Sequence, residues 1–178
     1  PVWEAKTYTI TYNTNDGTYC DPYDFTIEDR FTLPTVTKNG HTFVQWLVAD
    51  KEGNWVTKTS FNEGAEISGM YGNVTLIADW TTAKYTVTLD ADGGTVTPSS
   101  LTYTIENNTS LPTPVKTGYK FTGWKVVGKD ANSSWLLDDI YVSFLSNIDA
   151  NGNYNYGNVT LKAQWEHQDY NIHFTSDG

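Results

Sequence analysis

Three groups of side chains in this sequence have the types and spacing that could do chemistry. Asp90-Ala91-Asp92-Gly93 sets alternating carboxylates before a glycine, as a calcium loop does at its start. It lacks the later oxygen ligands and the distal Glu that complete such a loop. The corresponding stretch earlier in the chain, Asn13-Thr14-Asn15-Asp16, is less acidic, so a turn accounts for both and no metal site is assigned. The second group comprises His41, His167, His173, Cys20 and the paired acids Glu28 and Glu106. Acid–base or nucleophilic chemistry needs such residues in a partnered constellation. His41 matches Tyr119, His173 matches Thr11 and Thr88, and His167 falls in a linker, so no histidine recurs. Glu28 and Glu106 read as solvated or capping carboxylates. Cys20 is the single cysteine, which rules out an intrachain disulfide and a structural metal site of its own. No catalytic residue and no cofactor is assigned.

The third group is aromatic. Exposed rings can stack on sugars or anchor a partner protein, whereas rings at strand spacing are usually core. Trp46, Trp80, Trp124 and Trp165 recur at matching places and are assigned to structure. Tyr19, Tyr23 and Phe31, then Tyr141 and Tyr154, are read as unshared and are the candidates for ligand binding.

The elements that must position these residues come twice. YGNVTLIADW (residues 71–80) returns as YGNVTLKAQW (156–165), and YTITYNTNDGT (8–18) returns as YTVTLDADGGT (85–95). Thr26-Ile27-Glu28, Leu33-Pro34-Thr35 and GHTFVQW (40–46) match Thr104-Ile105-Glu106, Leu111-Pro112-Thr113 and GYKFTGW (118–124). Trp55 is matched to Trp135, and Phe61 to Phe144. A period of about 80 residues means tandem copies of one module. Residues 1–3 read as the end of a preceding repeat, 4–80 and 81–165 as two modules, and 166–178 as a linker with the first strand of a further repeat. That strand, Tyr170 to Gly178, is expected to fray or to dock on a sheet edge.

Tyr8, Ile10 and Tyr12 alternate with threonines, as do Tyr85, Val87 and Leu89, and each run ends at a glycine turn of the tight-hairpin type. Val74, Leu76, Ala78 and Trp80 alternate likewise. Residues 43–48 are apolar on both faces, which predicts a central, well-covered strand. Short helices are placed at Ser60 to Ala65 and Val142 to Ile148.

The opening Y-T-V-T-x-x-x-x-G-G, the central G-Y-x-F-x-G-W and the closing N-V-T-L-x-A-x-W resemble the Listeria–Bacteroides repeat of internalin B-repeat type. The resemblance implies tandem β-grasp-like modules, mainly β with at most one short helix each. It also implies a place in large secreted or surface proteins of bacteria, without enzymatic activity.

Composition agrees with an outward-facing role. A net charge of −10 with 11 Lys and Arg argues against nucleic acid and against anionic membranes. No apolar run is long enough for direct membrane insertion. The expected role is that of an extracellular stalk or spacer and adhesion module. Its expected partners are a host or neighbouring surface protein, or a second copy through strand edges. The alternative is a glycan-binding module that uses the loop aromatics.

Overall fold

The computed structural model describes residues 1–49, 55–145, 148–149 and 151–169; the Tyr170 to Gly178 strand lies outside the described residues, as does His173. The chain divides into two compact units, Pro1–Ala83 and Lys84–Gly178. The first holds β1 (Tyr8–Asn13), β2 (Tyr23–Phe25), β3 (Arg30–Thr32), β4 (His41–Ala49), β5 (Trp55–Phe61), β6 (Glu66–Ser68) and β7 (Val74–Thr82). Its main sheet runs β2-β1-β7-β4-β5, with β1 and β7 parallel, and β3 pairs β6 in a separate short ladder. The second unit holds β8 (Tyr85–Asp90), β9 (Ser100–Tyr103), β10 (Thr109–Ser110), β11 (Tyr119–Lys129), β12 (Ile140–Tyr141), β13 (Phe144–Leu145) and β14 (Val159–His167). It repeats the plan as β12-β11-β14-β8-β9 with the ladder β10-β13.

Alternation along the strands produces the cores. Ile10, Phe25, Trp46, Leu76 and Ala78 point inward from the first sheet and meet Ile67 of β6 with Leu33 and Val36. Val87, Tyr103, Trp124, Val126, Leu161 and Ala163 do the same in the second, closed over by Leu145, Leu111 and Trp135. Each such aliphatic contributes about 1.5–3 kcal/mol by leaving water.

Three expectations are corrected. The apolar run in β4 is not a doubly covered strand, and the central strand of each sheet is β7 or β14. A register shift between Phe43 and Gln45 inserts a bulge, which brings Phe43 and Trp46 onto one face with ring centroids 5.5 Å apart. The same shift between Phe121 and Gly123 brings Phe121 to 5.4 Å from Trp124. In a regular strand, residues three apart face opposite ways. Val44 and Val127 are left on the outer face, each 45% exposed.

No helix occurs among the described residues. Residues 60–65 finish β5 and turn, because Gly64 and Gly69 take positive φ and Leu33 N–H bonds the Ala65 carbonyl at 2.9 Å. Near 142–145, Leu111 N–H takes the Ser143 carbonyl at 2.8 Å and β13 pairs β10, so these backbone groups serve a ladder instead.

The glycine turns have the expected positive φ, at Asn15 and Asp16 (50° and 64°) and at Asp92 and Gly93 (48° and 80°). They do not close tight hairpins, because β1 pairs β2 and β8 pairs β9 only across a longer connection. The chain leaves each turn sideways, with Thr18 N–H on the Thr37 carbonyl and Thr95 N–H on the Val115 carbonyl, both at 2.8 Å. The antiparallel partner of Ile10 comes only at Tyr23.

Candidate functional site

The repeated residues are occupied in holding each unit together. Trp46 and Trp124 are fully buried, and their indole N–H groups donate to the carbonyls of Pro34 (3.4 Å) and Pro112 (3.1 Å). Trp80 and Trp165 are half-buried. Each stands edge-on to Phe43 or Phe121 and donates to a turn carbonyl, that of Thr14 (2.9 Å) or Ala91 (3.1 Å). The glycine after each turn is required there. A Cβ on Gly17 would come 2.7 Å from Trp80 Cζ2, and one on Gly94 would come 2.8 Å from Trp165 Cζ2.

Sequence reasoning missed two further members of this frame. Lys38 and Lys116 donate to the turn carbonyls of Asn15 (2.9 Å) and Asp92 (2.8 Å). Asn73 and Asn158 accept from Thr9 N–H (3.0 Å) and Thr86 N–H (2.8 Å), where the parallel strands begin. Both were detectable: a lysine stands two before Gly40 and Gly118, and the asparagine lies inside the repeated Y-G-N-V-T-L.

The carboxylates considered for calcium serve the protein itself. Asp90 accepts from the Asp92 N–H at 2.9 Å, and Asp92 pairs with Lys162 at 2.9 Å. That lysine holds the Asp92 carboxyl below its ordinary range. Among the described residues, no group of three or more His, Cys, Asp or Glu could hold a metal ion. Glu28 N–H and Glu106 N–H bond the hydroxyls of Thr26 (3.3 Å) and Thr104 (3.4 Å), so both glutamates sit in local turns. His41 bonds the Asn39 carbonyl at 2.9 Å, and His167 lies 3.5 Å from Asp169.

The candidate aromatics fall into different settings. Strand register sets Tyr141 opposite Trp124 as it sets Phe61 opposite Trp46, so Phe61 corresponds to Tyr141 and not to Phe144. Tyr141 is therefore shared between the copies, half-buried and edge-on to Trp135 at 5.8 Å. Tyr154 is 53% exposed in the long loop of the second unit, and Tyr19 is 80% exposed beside the first turn. Tyr23 and Phe31 alone come together, with ring centroids 4.9 Å apart.

These two rings line an open groove of about 240 Å³ with Tyr12, Cys20, Asp21, Thr32 and Pro34. β1 supplies Tyr12, β2 supplies Tyr23 and β3 supplies Phe31. Burial, then the neighbouring Cys20 and Tyr23, push the Tyr12 phenol up to about 12. Burial and Asp21 push the Cys20 thiol up as well, so it stays protonated at neutral pH and is a poor nucleophile. Ladder register gives Leu89, Leu101 and Thr109 as the counterparts of Tyr12, Tyr23 and Phe31 in the second unit. The aromatic character of the lining is thus particular to the first unit, although Tyr12, like its buried counterpart Leu89, packs against the core.

Comparison with known proteins places these features among repeats. The Listeria-Bacteroides repeat domain matches residues 8–79 and 85–143. Two provisionally named membrane proteins of Evansella cellulosilytica, one of them Gly-rich, are each 26% identical over 99% of this chain. Internalin H of Listeria monocytogenes is 34% identical over 75% of it. The chain spans only 24%, 18% and 20% of the lengths of these three relatives. No solved structure matches.

Proposed function

Because the chain belongs to the Listeria-Bacteroides repeat family, we propose that it is a non-catalytic repeat segment of a bacterial surface or secreted protein, acting as spacer and protein-interaction module. One observation carries this reading. Each unit completes its own sheet, core and tryptophan-to-turn bonds from its own residues, so an array grows by adding units without altering those already present. The relatives, named as membrane proteins and an internalin, support a surface location. The sheet order, with first and last strands parallel side by side, supports the β-grasp-like reading, a short ladder standing where a helix was expected. Edge strands offer backbone to a partner, and β5, with seven residues, is the longest of them. A glycan role is less well supported, because the lining of the groove includes Tyr23 and Phe31 but not Tyr19.

The test is replacement of this segment, in the protein that carries it, by an unrelated spacer of equal length. A spacer-plus-contact role predicts that antibody access to outlying domains survives while adhesion to host-cell monolayers falls. If deleting the segment outright leaves both access and adhesion unchanged, the reading is wrong.

A further inference from the structure

The geometry points to the aromatic groove of the first unit as the docking site for a proline-rich segment of a partner protein, with a basic residue flanking the prolines. This rests on the protein-interaction reading above and names the class of partner.

Four observations select that ligand. The first concerns ring arrangement. Tyr23 and Phe31 lie tilted at 46° to one another, and Phe31 is tilted against Phe25 as well, so Phe31 presents no open flat platform. A groove lined by tilted rings suits the ridge of pyrrolidine rings on a polyproline II helix. A pyranose needs an open, flat ring face instead. The second concerns hydrogen bonding. A polyproline II segment has no internal hydrogen bonds, and prolines lack N–H groups, so its carbonyls require donors from the host. Tyr12 and Tyr23, whose phenol hydroxyls can donate, both line the groove.

The third is charge. Asp21 lines the groove with no lysine or arginine, in a chain of net charge −10, which favours a basic flank and disfavours an anionic ligand. The fourth is economy of the fold. The second unit builds the same sheet with Leu89, Leu101 and Thr109 at these positions, so the fold does not require aromatic rings there, although Tyr12 and Phe31 also pack against the first unit's core. At about 240 Å³ the groove takes only a few residues, as befits one stretch of an extended chain.

The test uses the whole chain, labelled with 15N, and a synthetic peptide of Ala-Pro-Pro-Arg-Pro repeats. A control peptide keeps each Arg but replaces Pro by Ala, and a cello-oligosaccharide is titrated separately. Binding should shift the amides of Tyr12, Cys20, Asp21, Tyr23 and Phe31 and leave the second unit still. The double variant Tyr23→Leu with Phe31→Thr copies the second unit's residues, and an unchanged spectrum elsewhere verifies that its fold is retained. It should weaken binding at least about tenfold, as losing central aromatic anchors does. Asp21→Asn should weaken the Arg peptide but not a peptide with Arg replaced by Ala.

The proposal is overturned if the Pro-free control binds equally, if the double variant binds as wild type, if only the oligosaccharide moves these amides, or if nothing does. The adhesion assay on the same double variant separates the two readings. Adhesion that persists with a silent groove sinks the groove alone, whereas adhesion lost on spacer replacement and retained here locates the contact elsewhere.

Discussion

Replacing Trp124 by Ala should unfold one unit and spare the other. The side chain is fully buried, stands 5.4 Å from the Phe121 ring and donates to the Pro112 carbonyl at 3.1 Å. Truncating such a residue costs about 3–5 kcal/mol. The lost hydrogen bond accounts for about 1 kcal/mol of that. A unit this small stands near the low end of domain stability, about 5 kcal/mol. The variant therefore leaves the second unit marginal, while Trp124→Phe, which keeps a ring but removes the donor, should cost closer to 1–2 kcal/mol, roughly the bond and a small cavity. Hydrogen exchange in rising urea reads this directly. Amides of β8, β11 and β14 should lose protection at concentrations where those of β1, β4 and β7 keep it, and Trp46→Ala should give the mirror image. Simultaneous loss in both sets would refute the independence of the units. A deficit under about 1 kcal/mol would refute the packing argument.

Three further outcomes are expected. Gly94→Ala should lower the melting temperature of the second unit, because its Cβ would sit 2.7 Å from the Val115 carbonyl and 2.8 Å from Trp165; overpacking of this kind costs about 1–3 kcal/mol. Tyr103→Phe should cost about 1–3 kcal/mol in urea unfolding, since the Tyr103 hydroxyl accepts from Trp135 Nε1 and donates to the Gly157 carbonyl, both at 2.6 Å. Burial raises the Tyr103 phenol above its unfolded value, so its contribution is present below pH about 10 and is lost as pH rises. The Phe variant should therefore show a shallower alkaline decline, followed by circular dichroism. Asp92 is depressed chiefly by its hydrogen bond from Lys162, so its stabilising effect holds above the ordinary carboxylate value and fades as pH falls through the folded one. In an NMR titration Lys162→Gln should move the Asp92 midpoint upward; an unmoved midpoint would mean that the pair does not persist in solution.

The frame was legible because it is written twice. Matching Trp46 with Trp124 and Trp80 with Trp165 located the inner strands. What failed to show were features that depend on partners distant in sequence. The bulge after Phe43 exists only relative to β7, so the spacing of Phe43 and Trp46 read as two faces instead of one. The parallel pairing of β1 with β7 leaves the same alternation as an antiparallel one. In sequence Phe61 aligns with Phe144, because the longer loop hides the register that pairs it with Tyr141. At the groove, Tyr23 and Phe31 stood out because they were unshared. Tyr12 reads as part of the core face of β1 and Cys20 has no repeated counterpart, since nothing local says that β1, β2 and β3 converge there.

The position of β7 has a consequence for how such a chain is made. This strand is the last of its unit to be synthesised, and it stands in the middle, between β1 and β4. Until Val74–Thr82 has emerged, the pairs β1–β2 and β4–β5 have no ladder joining them. A growing chain therefore carries each unit as two loose hairpins and closes it in one late, long-range step. A stalled ribosome or a cut anywhere in those nine residues loses the whole unit and not a fraction of it. An array assembled this way gains or sheds length in whole steps.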